Sequence, residues 1–286
     1  MVEVVRGGVV EARHRVHAVA IGGGAIVASA GDAALLTHFR SSAKPLQALP
    51  VVRARPDLED AEIAIACASH LARPEQLEAV RSLLAKAPAT EDDLECGPDP
   101  TRVEHNCSGK HAGLIALCRA RGWLVPGYRL PDHPCQRELL AEVGAAAEVQ
   151  VGTMPTAIDG CGIVTFALPL DRMAHAFSRL HSLEGGSRIA QAMHAHPELI
   201  RGPGAPDTEL MKTLPGWVAK GGAEGLLCAA SPDGLGVALK VEDGTGRSQR
   251  SAVAAFLGRL GLDAGDLGAM PLENSRGELV GELRVA

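Results

Sequence analysis

Two β-hairpin signals, one near each end of the chain, constrain the fold most strongly. The first is the run of three glycines at 22–24, which separates the apolar segments 16–21 and 25–29. The second is the Ser-Pro-Asp-Gly tetrapeptide at 231–234, between the apolar segments 226–230 and 235–241. Such turn residues between apolar runs are typical of antiparallel strands joined by a short connection.

Between and after the hairpins, apolar residues recur mainly at helical spacing. This spacing predicts helices over 42–52, 74–86, 110–121, 134–144, 170–180, 186–195, 208–212 and 248–260. The compact apolar segment 61–69 fits either a helix or a buried strand, and short strands are predicted at 2–5, 8–10, 149–152 and 162–168. The residues after 260 have the composition of a loop.

The order of these elements favours an α+β fold. A hairpin, a mainly helical middle, a second hairpin and a final helix follow one another, with no internal repeat or low-complexity linker in the sequence. Strands from the two ends can join one antiparallel sheet flanked by helices, because every hairpin must bury its apolar face. We therefore expect a single domain over residues 1–286.

Charge and composition exclude several classes of function. The formal net charge is −6 and lysine and arginine form no long run, which argues against a nucleic-acid partner. No apolar run approaches the roughly 18 residues that span a membrane, and the N-terminus does not have the pattern of a signal peptide. With seven cysteines, an odd number, the sequence predicts reduced thiols and a cytoplasmic location.

The first candidate for chemistry is the segment 40–45, Arg-Ser-Ser-Ala-Lys-Pro. Ser41 and Lys44 are three positions apart, so on a helix they share one face. Pro45 has no backbone N–H, so the helix should start just before it and place Ser41 near the helix N-terminus. A serine nucleophile with a lysine base needs this arrangement. An ordinary capping serine, with Ser42 as the rival, is the alternative.

Two cysteine-containing segments suggest a metal site. In the segment 105–113, His-Asn-Cys-Ser-Gly-Lys-His-Ala-Gly, Cys107 and Lys110 have the spacing of zinc-loop ligands. Lysine is an uncommon zinc ligand, so on chemistry alone His111 is the more ordinary choice. Cys161 lies between two glycines, and Asp159 before it could bind an ammonium group or orient a lysine. A capping loop and a plain β-turn are the alternatives.

Ser69 and Lys240 are further candidates. Ser69 ends an apolar segment in Cys67-Ala-Ser-His70, where it is either a second serine pointing into a cleft or a capping serine beside a buried cysteine. Lys240 interrupts an otherwise apolar strand, which is costly unless its ammonium group is paired or functional. A lysine at a sheet edge that reaches solvent is the other interpretation.

Taken in order, these motifs resemble the L-asparaginase II family. The similarity runs over nearly the whole chain and includes the segments 40–47, 67–70, 105–113, 159–162 and 196–198. The nonapeptide that begins at His105 is its most specific part. The resemblance implies a fold like that of serine β-lactamases and glutaminases, with an antiparallel sheet flanked by helices, and a homodimer.

The resemblance also implies a reaction and its residues. The substrate would be L-asparagine, hydrolysed to L-aspartate and ammonia by two serine–lysine pairs, Ser41 with Lys44 and Ser69 with Lys240. Ser41 would attack the side-chain amide, Lys44 would take its proton, and the second pair would relay a proton to the leaving ammonia. Backbone N–H groups at the start of the helix would stabilise the oxyanion.

The remaining implied residues form a metal site and a substrate pocket. The family's metal, typically zinc, would be held by Cys107, Lys110 and Cys161, with water as a fourth ligand, and would organise the pocket rather than generate the nucleophile. The substrate-binding residues would be Arg40, His70, His111 and Asp159.

Other functions are compatible with parts of this pattern. A related serine–lysine hydrolase could act on glutamine, or on a β-lactam, although the latter enzymes have Lys-Thr-Gly where we compare Lys240-Val-Glu. A non-catalytic zinc-binding protein would give Ser41 and Lys44 no role. A metallohydrolase with an open zinc would lose activity on chelation but not when Ser41 is replaced.

Overall fold

The two predicted hairpins meet in one antiparallel sheet. The computed structural model describes residues 1–268 and 270–286. Its strands are β1 (Val2–Arg6), β2 (Val9–His14), β3 (Val16–Gly22), β4 (Ala25–Ala30), β5 (Leu36–His38), β6 (Thr156–Ile158), β7 (Val164–Pro169), β8 (Val218–Gly222), β9 (Leu226–Ala230), β10 (Gly236–Val241), β11 (Pro271–Glu273) and β12 (Leu279–Val285). The main sheet has the order β4-β3-β10-β9-β8, and Val19 of β3 lies opposite Ala238 of β10.

Helices surround this sheet, as the α+β prediction requires. They are α1 (Lys44–Gln47), α2 (Leu49–Ala54), α3 (Asp60–Ala66), α4 (Pro74–Lys86), α5 (Ser108–Arg121), α6 (Pro134–Ala147), α7 (Leu170–Ser178), α8 (Gly186–Ala195), α9 (Pro197–Ile200), α10 (Pro206–Thr213) and α11 (Gln249–Arg259). The ambiguous segment 61–69 is therefore mostly helical. No helix in the described part of the chain is long and apolar enough to cross a membrane.

The prediction of a loop after residue 260 is wrong. Strand β12 pairs with the whole length of β1, from Val2 opposite Val285 to Arg6 opposite Gly281, in a second sheet of order β11-β12-β1-β2. Most β12 side chains are exposed or half-buried, so the segment lacks the apolar alternation that signals a strand. The first strand pair of the chain therefore belongs to this second sheet and not to the main one.

Two further local predictions need correction. The single helix predicted over 42–52 is a 3₁₀ turn at Arg40–Ala43 followed by the short helices α1 and α2, with Pro45 and Pro50 each in a first turn. Proline cannot donate to the preceding turn, which explains the interruptions. The strand predicted at 149–152 is instead a 3₁₀ turn at Val151–Thr153.

Glycines allow two close approaches that fix the helices around the site. A Cβ atom on Gly109 of α5 would lie 2.1 Å from the Ile65 carbonyl oxygen of α3. A Cβ atom on Gly236 of β10 would lie 2.0 Å from the Ala174 carbonyl oxygen of α7. Since neither contact tolerates a side chain, α5 is held against α3 and the main sheet against α7.

Candidate active site

Ser41 lies in the 3₁₀ turn that leads into α1. The residue before it, Arg40, has a left-handed backbone with φ of +49°, and its N–H donates to the Thr165 hydroxyl oxygen at 3.2 Å. Ser41 is half-buried, whereas Ser42 and Lys44 after it are buried. The turn therefore leaves Ser41 accessible while it places Lys44 in the interior.

Ser41 lines a cavity of about 500 Å³. Its polar and charged lining side chains are Ser41, Ser69, Asn106, Arg201, Asp207, Lys220, Glu224 and Gln249. Glycines from 221 to 246 line much of the remaining wall. The two predicted serines, 28 positions apart in sequence, thus share one cavity of a size that suits a small polar substrate.

The buried side chain of Lys44 links the Ser41 turn to the segment that carries Ser69. Its ammonium nitrogen donates to the Ser69 hydroxyl oxygen at 2.9 Å and also to the Ala68 carbonyl oxygen. The Lys44 side chain is fully buried, and this burial lowers its pKa, with the charge of Lys110 acting in the same direction. Lys44 is thus a buried amine with a lowered pKa, in direct contact with Ser69.

Ser69 is fixed by its backbone as well as by Lys44. Its N–H donates to the Ile200 carbonyl oxygen at 2.8 Å, and its carbonyl oxygen accepts from the Arg201 guanidinium at 3.3 Å. The end of α9 and the residue after it therefore hold the backbone of Ser69 in place.

The second lysine of the cavity is Lys220, which the sequence analysis did not single out. Its side chain is fully buried on β8, 3.4 Å from the Asp207 carboxylate, and its ammonium group donates to the Gly221 carbonyl oxygen at 2.6 Å. Burial lowers the pKa of Lys220 to about 8, and the charge of Asp207 opposes that shift. The sequence does contain a pattern that could have indicated Lys220, since this lysine interrupts an apolar strand and two glycines follow it.

Close packing brings Lys220 to the serine turn. The Ser42 hydroxyl donates to the Lys220 carbonyl oxygen at 2.9 Å. A Cβ atom on Gly222 would lie 2.8 Å from that same Ser42 hydroxyl oxygen and 3.3 Å from the Phe39 carbonyl oxygen. The glycine thus lets β8 run directly against the turn that carries Ser41.

The structure does not join Ser69 to Lys240. The Ser69 hydroxyl is bonded to Lys44, and the Lys240 ammonium group donates to the Val241 carbonyl oxygen. The charges that raise the Lys240 pKa against its burial belong to Glu224, Asp243 and Glu242. Lys220, and not Lys240, therefore lies in the cavity wall.

The three predicted metal ligands lie together. The Lys110 ammonium group donates to the Cys161 sulfur at 3.1 Å, and both groups lie close to the Cys107 thiol. All three side chains are buried. The hydrogen bond from Cys161, with the charges of Lys44 and Lys110, holds the Cys107 pKa well below its usual value. The charges of Cys161 and Cys107 raise the pKa of Lys110 against its burial, so Lys110 must lose a proton before it can bind a metal. With that proton lost, two sulfurs and an amine at such close range form a donor set that fits zinc.

The residues described contain no cluster of three or more histidine, cysteine, aspartate or glutamate side chains suited to a metal. A zinc site here therefore depends on Lys110 as a ligand, as the resemblance implied. His111, the chemically more ordinary choice, is directed elsewhere, because its Nδ1 is 2.6 Å from the Tyr128 hydroxyl.

Arg40 and Asp159 form an ion pair beside this cluster. The Arg40 Nε donates to the Asp159 carboxylate at 2.8 Å. The Asp159 carboxylate also accepts from the Gly160 N–H at 2.8 Å, and its carbonyl oxygen accepts from the Gly162 N–H at the same distance. The pair thus joins the Ser41 turn to the loop that carries Cys161.

The two histidines predicted to bind substrate have structural partners. His70 accepts from the Ala72 N–H at Nδ1, so its Nε2 donates to the Ser108 hydroxyl at 2.8 Å, and burial lowers its pKa to about 4. His111 is fully buried beside Tyr128, and burial together with the charge of Lys110 lowers its pKa well below the usual value. Neither ring lines the cavity.

Comparison with known proteins identifies the family of this chain. The family described as L-asparaginase II matches residues 2–285. The chain belongs to the L-asparaginase II family. Among curated proteins no relative matches.

Two solved structures are distantly similar. EstCE1, a hydrolase with promiscuous acyltransferase activity, is 13% identical, with 82% of this chain and 90% of that chain covered and a TM-score of 0.43. A β-lactamase from Mycobacterium bovis is 15% identical, with 80% and 88% covered and a TM-score of 0.38. At such TM-scores neither structure bears on the substrate of this protein.

Proposed function

We propose that this protein hydrolyses the side-chain amide of L-asparagine to L-aspartate and ammonia through an acyl-serine intermediate. Membership of the L-asparaginase II family supports the substrate. The observation that carries the mechanism is that Ser41 and Ser69 line one cavity while Lys44, a buried lysine with a lowered pKa, is bonded to Ser69.

Ser41 is the nucleophile in this proposal, because it is the more accessible serine and lies in the first turn before α1. Its oxygen attacks the amide carbon, and its proton passes through the Ser69 hydroxyl to the neutral Lys44 amine. Backbone N–H groups around the turn stabilise the oxyanion, an effect worth about 3 kcal/mol per donor in other enzymes.

The same proton path then serves the leaving group. Lys44 returns the proton through Ser69 to the amide nitrogen, the carbon–nitrogen bond breaks and ammonia leaves. Water attacks the ester on Ser41 and gives up a proton through Ser69 to Lys44. When the bond between the Ser41 oxygen and the acyl carbon breaks, Lys44 returns that proton through Ser69 to the Ser41 oxygen, and aspartate is released. Ser69 therefore acts as a relay in both halves of the reaction.

Lys220 replaces Lys240 in the second lysine role. In its protonated form it supplies positive charge on the cavity wall, where the tetrahedral intermediate is negative. Asp207 is its buried counter-ion, at 3.4 Å. A pKa of about 8 leaves Lys220 mostly protonated near neutral pH.

We also propose a zinc ion held by Cys107, Lys110 and Cys161. When bound, it supplies a fixed positive charge that ties α5 to the loop after β6. Lys44 lies close enough to Cys107 and Lys110 for their charges to act on its pKa, so the order of this cluster bears on the proposed base. The homodimer and the cytoplasmic location that the resemblance implied stay predictions.

The direct test is ammonia release by the purified protein from L-asparagine and from L-glutamine. The proposal expects turnover of L-asparagine and much slower turnover of L-glutamine. Ammonia from neither amide would contradict the proposed substrate.

A further inference from the structure

Arg201 is a cavity-lining cation without a carboxylate partner among the described residues. It lines the same cavity as Ser41 and Ser69, and its only hydrogen bond there is the one to the Ser69 carbonyl oxygen at 3.3 Å. Its charge lowers the pKa of Lys220, so the two cations are close to each other. A guanidinium group has five N–H donors, and most of these are left for a ligand.

The charge around this position is unbalanced. Lys44, Lys220 and Arg201 are near one another, and the buried Asp207 carboxylate is committed to Lys220 and to the Gly221 N–H at 2.9 Å. Since Lys44 is neutral in the proposed mechanism, the buried charges here are the Lys220 cation and the Asp207 carboxylate. Glu224, the other carboxylate of the lining, is exposed and its charge acts on Lys240. Arg201 therefore adds a positive charge that makes this end of the cavity suited to an anion.

The backbone of Arg201 is held by a buried side chain. The Gln76 amide nitrogen donates to the Arg201 carbonyl oxygen and to the Glu198 carbonyl oxygen, each at 2.9 Å. The Gln76 amide oxygen in turn accepts from the Leu71 N–H at 2.9 Å. Gln76 itself is fully buried. The arginine is thus set in a prepared position beside Ser69.

We infer that Arg201 binds the α-carboxylate of the substrate, so that the cavity selects a free α-amino acid over an amide that lacks this group. The inference rests on the proposed function for the identity of the amide. A guanidinium fork suits a carboxylate because it can bind both oxygens at once. Lys220 is the weaker candidate, since its ammonium group already donates to Gly221 and faces Asp207.

The test compares L-asparagine with 3-aminopropanamide, which has the same amide but no α-carboxylate. Binding of each ligand is measured by calorimetry in the Ser41→Ala background, where turnover does not interfere. The same measurement is repeated with Arg201→Gln and with Arg201→Lys added to that background. Arg81→Gln is the matched control, because Arg81 forms an exposed ion pair with Glu91 away from the cavity.

We expect Arg201→Gln to weaken L-asparagine binding about 10- to 100-fold, as for the loss of a charged hydrogen bond, and to leave 3-aminopropanamide binding unchanged. Arg201→Lys should recover part of the loss. If Arg201 served only to support Ser69, both ligands would weaken in parallel, and the inference would be wrong. It would also be wrong if Ser41→Ala protein bound the two ligands equally.

These outcomes are separate from those of the proposed function. If the wild type releases no ammonia but Arg201→Gln still weakens only L-asparagine binding, the proposed reaction is wrong and the carboxylate site stands. If the wild type releases ammonia but Arg201→Gln weakens the binding of both amides equally, the proposed reaction stands and the proposed carboxylate site is wrong.

Discussion

The Lys44 ammonium nitrogen lies 2.9 Å from the hydroxyl oxygen of Ser69, a residue 25 positions further along the chain. The local motif pairs Lys44 with Ser41, but the hydrogen bond in the fold goes to Ser69. Both serines face one cavity, so Lys44 can reach the reacting group through Ser69. In the proposed mechanism the catalytic unit is thus a serine–lysine–serine arrangement, and Lys220 lies on β8, which packs against the Ser41 turn.

The pH dependence of activity should report on Lys220. Burial lowers its pKa to about 8, and its charged form exists below that value. If the cation stabilises the intermediate, kcat/KM should fall as the pH rises through about 8. Steady-state rates between pH 6 and 10 check this, and Lys220→Met should remove the alkaline fall along with most activity. A rate that keeps rising to pH 10 would contradict a cationic role.

Asp207 should set the position of that alkaline fall. Its charge raises the pKa of Lys220, so Asp207→Asn should move the fall to lower pH by about one unit or more. The control is Asp171→Asn, which removes the carboxylate beside Arg172 on α7. Thermal melts of both variants show whether the fold is retained. A lower rate with an unmoved pH profile would mean that Asp207 only supports the backbone of Gly221.

Gly109→Ala should destabilise the protein by at least about 2 kcal/mol, because the new methyl group would meet the Ile65 carbonyl oxygen at 2.1 Å. Gly258→Ala is the matched control, since Gly258 is also helical and has open space around its Cβ position. There we expect no loss, and a gain of up to about 1 kcal/mol from helix propensity. Urea unfolding measures both, and equal stabilities would contradict the close packing of α5 on α3.

Metal content should depend on the two clustered cysteines. We expect a single zinc ion per chain in protein purified without chelators, and its loss in Cys107→Ala and Cys161→Ala. Cys118→Ala should retain the zinc, because Cys118 lies on α5 but contacts Cys135 and not the cluster. Elemental analysis of the three variants decides this, and zinc retained in Cys161→Ala would refute the proposed ligands.

Much of the fold could be predicted because local residues determine it. The glycines at 22–24 and the tetrapeptide at 231–234 specify turns by their own conformational preferences, and the hairpins they join form the main sheet. Strand β12 could not be predicted, since its pairing with β1 connects the two ends of the chain and its side chains are mostly exposed.

The sequence indicates candidate site residues where they are neighbours in the chain, and it gives no such indication where only the fold brings residues to the cavity. Ser41 and Lys44 are three positions apart, and Cys107 and Lys110 likewise. Lys220 and Lys240 each interrupt an apolar strand, and only the packing of β8 against the Ser41 turn distinguishes them. Arg201 carries no local signal, because only the fold brings it into the cavity beside Ser69.

The most direct test of the account is ammonia release from L-asparagine by wild type, Ser41→Ala and Ser69→Ala, with Ser187→Ala as a surface control. We predict that Ser41→Ala loses roughly 10⁴-fold or more in kcat. Ser69→Ala should keep more activity than Ser41→Ala, because a water molecule can partly replace its hydroxyl in the relay. The account would be contradicted if Ser41→Ala retained wild-type turnover, since the reaction would then need no nucleophile at that position.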